Sequence, residues 1–238
     1  MDAAMTPEPA FLLHKRPYRE TSAIVELLTL TQGRVRAVAQ GVQRGGSKAR
    51  GILQPYSPLH VTWSGNGELK RLRLLESQGS TALLAGEGLL CGFYANELMA
   101  RVLPLEYPVG EVFSLYALTL EALPSPAKRA GALRRLEITL LESLDMAPRF
   151  VDEHDAPLDA YTHYLYHAER HCFRAIAPGQ GGIDGRSLKW LARGDWEAPG
   201  LAGVAKHVTR AALAPLLGER PLRSRELMRR LAERRRTS

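Results

Sequence analysis

Between residues 10 and 76 the chain offers five short runs of β-forming residues and no interval long enough for a crossover helix. The runs cover 11–15, 22–29, 34–40, 59–64 and 68–76, separated by the turn formers Arg16-Pro17, Gln32-Gly33, Gly45-Gly46 and Gly65-Asn66-Gly67. Asn66-Gly67 between two alternating runs signals a hairpin, because both residues tolerate positive φ. Strands that follow one another without helices bury their apolar faces most readily by closing into a small antiparallel barrel. An SH3-like barrel shares this beginning, but the longer 41–56 connection fits an OB-fold better.

After residue 83 the hydrophobic period lengthens to three and four. Leu83, Leu84, Leu89, Leu90, Phe93, Tyr94, Leu98 and Val102 run to Pro104, and a second set from Val112 to Ala122 runs to Pro124. A third, from Leu133 to Leu144, runs to Pro148. These spacings predict packed helices. Residues 147–186 are less regular, with a Tyr/His segment that reads as a β-hairpin, and helices are expected again over 188–192, 201–217 and 224–235. Gly218 stands where a helix C-cap belongs and Ser224 where an N-cap belongs. The expected fold is α+β: an N-terminal five-stranded OB-fold barrel over 1–80, followed by an α-helical domain over 81–238.

Composition excludes several classes. With 45% hydrophobic and 24% charged residues the chain has too much core material for wholesale disorder. No apolar run reaches the ~18–20 residues of a membrane-spanning helix, and the first fifteen residues lack a basic segment followed by an apolar core, so no secretory leader is expected. Cys91 and Cys172 are too few for a disulfide framework or a four-cysteine metal knot. Charge is more informative. Residues 1–80 hold 11 basic and 6 acidic side chains, and 201–238 hold 10 and 3, while the middle is acidic. Two basic ends make a polyanion, and first of all nucleic acid, the expected partner.

Signatures of bond-making chemistry are missing. There is no Gly-Lys-Ser/Thr phosphate loop, His-Glu-x-x-His, Cys-x-x-Cys or nucleophile elbow. Gly179-Gln180-Gly181-Gly182 follows no convincing strand and reads as a loop. The carboxylates Asp152, Glu153, Asp155 and Asp159 could meet a divalent cation, but a solvated acidic loop explains them better. On a helix His163, His167, His171 and Cys172 would stack as a zinc site. In a β-rich segment His163 and His167 would lie ~13 Å apart and could not share an ion. No metal and no cofactor are expected.

The basic side chains of the barrel are the better signal. Arg34 and Arg36 alternate with Val35 and Ala37, and Arg71 and Arg73 with Leu72 and Leu74, so each pair leaves one face of its strand. Arg44, Lys48 and Arg50 lie in a Gly-rich connection with no acidic residue from Thr31 to Leu53. With Arg16, Arg19 and Lys70 they make a cationic track suited to a phosphodiester backbone. Tyr18 and Tyr56 are candidates to stack on bases, whereas Trp63 shares a face with Leu59 and Val61 and belongs to the core. Arg223, Arg225, Arg229, Arg230, Arg234, Arg235 and Arg236 form a second basic set on the terminal helix, to be held down by Leu227, Met228 and Leu231. An OB-type RNA-binding or assembly protein would share the basic barrel.

Several segments together resemble the bacterial recombination mediator RecO family. They are Arg16-Pro17-Tyr18-Arg19-Glu20-Thr21-Ser22, Gly33-Arg34-Val35, Ala39-Gln40-Gly41, Leu53-Gln54-Pro55-Tyr56, Tyr94-Ala95-Asn96-Glu97-Leu98, Leu133-Arg134-Arg135-Leu136-Glu137 and Pro221-Leu222-Arg223-Ser224-Arg225-Glu226-Leu227. The resemblance implies a cytoplasmic, nucleoid-associated, non-enzymatic protein of recombinational DNA repair. It implies binding of single- and double-stranded DNA, annealing of complementary strands coated with single-strand binding protein (SSB), and work with RecR to load RecA. Many relatives carry a four-cysteine zinc module where this chain has only Cys172. The family binds the acidic, Phe-ended tail of SSB, and Arg134 is the candidate cation for its carboxylate. The alternative is a helix arginine paired with Glu137 or Glu142.

Overall fold

Alternation of apolar and polar side chains builds the N-terminal strands. The computed structural model describes residues 6–177 and 179–236, with side chains as far as Arg234 in the last helix. Strands β1 (Glu8–Tyr18), β2 (Ser22–Thr29), β3 (Gly33–Ala39), β4 (Pro58–Ser64) and β5 (Leu69–Ser77) close into a barrel in the order β1-β2-β3-β5-β4. All neighbours run antiparallel except β3 and β5, which pair in parallel. That parallel pair, with β1 closing on β4, is OB-fold topology. A single-turn helix, α1 (Lys48–Ile52), occupies the β3–β4 connection that the sequence had left irregular. Leu12, Val25, Leu27, Val35, Ala37, Leu59, Val61 and Trp63 fill the barrel.

By packing, the chain forms two compact units. One unit runs to Arg129 and takes in the residues from Pro221 onward; the other is Ala130–Arg220. In the first, α2 (Gly86–Val102) and α3 (Gly110–Ala122) lie against the outside of the barrel. Phe11 and Leu28 are cross-strand partners on the outer wall and both are buried, with the Phe11 ring 5.4 Å from Phe113 and 5.1 Å from Tyr116. Burial of these large side chains on both faces of the sheet is what joins the helices to the strands.

The strand β1 departs from strict alternation because Phe11, Leu12 and Leu13 are all buried. Leu12 faces Leu27 and His14 faces Glu26, so Leu13 is the extra residue of a β-bulge. A bulge releases backbone groups from the ladder, and buried ones must find partners. Asn96 of α2 supplies them: its Nδ2 donates to the carbonyls of Leu12 and Leu13, each at 3.1 Å, and its Oδ1 accepts from the Tyr116 hydroxyl. Beyond the bulge the face assignment is reset. Arg16 now faces outward with Ile24, and Lys15 shares the inner face with Val25.

The segment after α2 closes the other end of the wall. Glu106 N–H donates to the Arg34 carbonyl at 2.8 Å, and Gly33 sits at φ 67 with Tyr107 so close that a Cβ would meet its carbonyl oxygen at 1.8 Å. Only glycine fits there. The last helix, α7 (Arg223–Arg236), also belongs to this unit. Its first turn is capped from α2: Glu97 accepts from the N–H groups of Arg223 (2.8 Å) and Ser224 (2.9 Å) and from the Ser224 hydroxyl (2.6 Å). Ser224 therefore lies inside the helix and is itself capped, rather than serving as the N-cap. Of the expected apolar anchors Met228 and Leu231 are half-buried while Leu227 is 41% exposed, and Leu222, 1% exposed, and Arg225 against Tyr94 add to them.

The second unit contains most of α4 (Pro126–Glu142), a three-stranded sheet of β6 (His163–His167), β7 (Cys172–Ile176) and β8 (Ile183–Asp184), and helices α5 (Gly185–Arg193) and α6 (Leu201–Leu217). The β6–β7 hairpin is the one expected from the Tyr/His segment. Gly218 is the C-cap of α6 at φ 61. Phe173, Leu188, Ala205 and Val208 are fully buried at the centre of this unit's core.

Replacing Asn96 by Leu should leave two bulge carbonyls and the Tyr116 hydroxyl buried without partners at nearly constant volume. The expected loss is about 2–4 kcal/mol, read from the urea midpoint of the full chain. A loss below ~0.5 kcal/mol would show that the bulge does not need this donor.

Candidate nucleic-acid interface

Cross-strand register sets which cations reach solvent together. Arg16 stands opposite Ile24, Ile24 opposite Val38, Val38 beside Arg71, and Arg71 opposite Ser64. Paired residues share a face, so this row crosses the barrel's outer wall with Ile24 and Val38 between the two arginines. Three strand spacings put Arg16 and Arg71 ~14 Å apart along the sheet. Arg71 donates to Gln40 at 2.6 Å, and Arg73, the extra residue of a second bulge, donates through Nε to Ser64 Oγ at 2.7 Å. Arg19 lies in the β1–β2 turn with its guanidinium 5.1 Å from the Tyr18 ring. Arg44, Lys48 and Arg50 are exposed in the β3–β4 connection. Among the described residues none of these seven is in an ion pair.

Three other barrel cations are committed to the fold. Arg34 and Arg36 do leave the outer face, but Glu26 of β2 is the direct cross-strand partner of Arg36 and bonds both, at 3.0 and 3.2 Å. Arg34 also donates to the Ala100 carbonyl of α2 at 2.7 Å, and its side chain is only 13% exposed. Lys70 stands beside Ala37 on the inner face and is 7% exposed, with Nζ 2.9 Å from Glu106. These three present little free charge to a polyanion. No carboxylate lies near Arg34 and Arg36 along the chain, but strand pairing brings Glu26 across from residues eight and ten positions away.

Lys15 is the cation that sequence reasoning passed over. The bulge turns it to the inner face at one end of the barrel, where Nζ donates to the Leu53 carbonyl at 2.9 Å. Burial and the neighbouring Arg50 charge hold its pKa below the ordinary lysine value. Three consecutive apolar residues, Phe11-Leu12-Leu13, were the sign that alternation breaks there. Among the aromatics, Tyr56 is 5% exposed and packs 6.5 Å from Phe93, so it is not available to bases; Trp63 is in the core. Tyr18 is half-buried beside Arg19.

Residues 3–80 match the family described as Recombination protein O N terminal, and 84–226 match Recombination protein O C terminal. The DNA repair protein RecO of Nitrosococcus oceani is 40% identical over 225 residues, 93% of this chain and 92% of that protein. Its counterpart in Pseudomonas putida is 42% identical over 225 residues, with 93% and 96% covered. That of Pseudomonas paraeruginosa is 42% identical over 221 residues, with 92% and 93% covered. This chain belongs to the RecO family.

The segments that carry the RecO resemblance acquire physical roles. In Tyr94-Ala95-Asn96-Glu97-Leu98, Asn96 serves the β1 bulge, Glu97 caps α7, and Tyr94 takes the Arg225 guanidinium at 5.2 Å from its ring. In the Leu-Arg-Arg segment, Arg134 is 7% exposed and bonds Glu137, itself fully buried, at 2.6 Å; Glu137 also accepts from the Thr209 hydroxyl. Arg134 is therefore an interior charge closing an interior network. Arg135 beside it is exposed, with its guanidinium 5.4 Å from the Trp196 ring. In α7, Arg229, Arg230 and Arg234 are exposed, while the side chains of Arg235 and Arg236 lie outside the described residues.

The acidic loop is occupied with its own backbone. Asp152 accepts from the N–H groups of Ala156 and His154, and Asp159 from Tyr161 N–H and the Thr162 hydroxyl, which lowers both carboxyl pKa values. His167 pairs with Cys172 across the β6–β7 hairpin, leaving His163 at the far end of the strand. Among the described residues no three His, Cys, Asp or Glu side chains gather as a metal-binding group.

Removing Glu137 alone should strand a buried guanidinium. Glu137→Ala is expected to cost about 3–5 kcal/mol in chemical denaturation, and Arg134→Met combined with Glu137→Gln to recover most of that loss. Equal stability of the single variant and the parent would show that the pair is not desolvated.

Proposed function

We propose that this RecO-family chain is a DNA-binding mediator of recombinational repair that acts without making or breaking bonds. It binds single- and double-stranded DNA, anneals complementary strands coated with SSB, and works with RecR in loading RecA; its place is the cytoplasm, at the nucleoid. The observation that carries the reading is the set of seven exposed cations, in no ion pair among the described residues, on an OB barrel whose sequence matches DNA repair proteins named RecO. Each phosphate neutralised by such a side chain releases condensed counterion, which gives affinity without regard to sequence. Two phosphate backbones repel each other, so neutralising both while leaving base edges untouched lowers the barrier to pairing. The wall from Arg16 to Arg71 and the exposed arginines of α7 offer two cationic surfaces for that task.

The SSB tail is assigned to the Leu-Arg-Arg segment, with Arg135 in place of Arg134. An exposed guanidinium flanked by an indole offers a charge for the terminal carboxylate and apolar surface for the preceding phenyl ring. Arg135→Ala should weaken binding of an SSB tail peptide at least tenfold in fluorescence anisotropy while leaving binding to bare DNA unchanged. Undiminished peptide binding would remove Arg135 from the site.

Arg71→Gln with Arg73→Gln should flatten the dependence of log affinity on log salt for a single-stranded oligonucleotide by about 1.4, two phosphates at ~0.7 each. It should also slow annealing of SSB-coated complementary strands. Arg34→Gln should instead lower the melting temperature and leave the salt slope in place. Failure of the parent protein to anneal SSB-coated strands, with tighter binding to RNA than to DNA, would replace this reading by an RNA-binding one.

A further inference from the structure

We propose that Lys15 and Arg50 together seat a single phosphate group of a bound polynucleotide, in a cavity of about 140 Å³ that they share with Val42, Gln43 and Leu53. The inference rests on the nucleic-acid reading above and adds a residue and a defined contact to it.

Three observations converge. The first is geometry. The β1 bulge turns Lys15 away from the outer wall, and one of its three N–H donors is spent on the Leu53 carbonyl, which holds the ammonium in place and leaves two donors for a ligand. Arg50 stands in α1 on the other side of the same cavity, its backbone fixed by the Ser47 carbonyl and by the Gln54 side chain.

The second is charge. Lys15 and Arg50 line one cavity, and the Arg50 charge adds to burial in lowering the Lys15 pKa. Neither Lys15 nor Arg50 is in an ion pair among the described residues. Both side chains are exposed, and an anion seated between them would lower their mutual repulsion further than solvent does.

The third is the floor of the cavity. Val42 and Leu53, 5% and 0% exposed, floor the cavity, while Lys15 and Arg50 stand at its solvent-exposed rim, within reach of a backbone phosphate. A bare carbonyl cap for Leu53 would not need a second cation facing the first.

The test uses the full chain. Binding of a fluorescent oligo-dT is followed against potassium chloride concentration for the parent, Lys15→Gln, Arg50→Gln and the double variant, with thermal melts to confirm that each is folded. Because both residues hold one phosphate, each single variant should flatten the salt slope by up to about 0.7, and the double variant by no more than that. An unchanged slope, or a double-variant loss near 1.4 as for two independent phosphates, overturns the proposal. A second readout follows the ¹⁵Nζ and ¹³Cε resonances of Lys15 in isotope-labelled protein with its ammonium unmodified, identified by their absence in Lys15→Gln. They should move on adding the oligonucleotide or inorganic phosphate, and Arg50→Gln should suppress the movement. A resonance moved by neither ligand overturns the proposal. A parent protein that binds no DNA while inorganic phosphate still moves Lys15 would sink the polynucleotide reading and leave an anion seat; binding that persists with a silent Lys15 would sink the seat alone.

Discussion

Two backbone carbonyls, those of Leu12 and Leu13, set the terms for the barrel unit. The bulge that frees them lies in a buried part of β1, where an unpaired carbonyl is costly. Asn96 from α2 answers both and is itself held by the Tyr116 hydroxyl of α3. β1, α2 and α3 are thus joined through one side-chain amide. The same bulge resets which residues of β1 look outward, and so it decides that Arg16 joins the outer wall while Lys15 is turned to the barrel's end. A structural repair and the layout of the cationic surface have a common origin.

Cations on this chain divide into those the fold uses and those it leaves for a partner. Arg34, Arg36, Lys70 and Arg134 each meet a carboxylate, and three of the four are nearly enclosed. Their charge is cancelled locally, and removing one member of such a pair harms the fold more than it changes the surface field. The exposed set from Arg16 through Arg73 meets neutral acceptors or solvent instead. Charge left uncompensated in this way raises the potential over the barrel wall and attracts polyanions from a distance set by salt. A count of basic residues cannot make this distinction, whereas a list of their partners can.

Family membership and geometry agree at different levels. The matches to RecO proteins cover nearly the whole chain, while the geometry explains why several of the shared segments persist as units. Tyr94, Asn96 and Glu97 face three different neighbours from adjacent positions on one helix: the α7 arginine, the β1 bulge and the α7 N-terminus. Such residues look functional in a sequence because they are polar and specific. In the structure they are the joints of the unit that displays the cations.

Much of the fold was legible before any coordinates. Five strands, the β4–β5 hairpin, the helical periods, the β6–β7 hairpin and the Gly218 cap all follow from local preferences, although in the 65–68 connection it is Gly65, at φ 105, and not Asn66 or Gly67 that takes the positive φ. Local chemistry also made Trp63 a core residue. What the chain alone could not disclose was pairing between distant residues. Glu26 reaches Arg34 and Arg36 through strand register, Lys70 meets Glu106 across the barrel's end, Glu137 draws Arg134 and Thr209 into an interior network, and the bulge places Lys15 against Arg50. Secondary structure and the sign of the charge are properties of neighbours along the backbone. Which of those charges remains free is settled only when burial and register bring remote side chains within bonding distance.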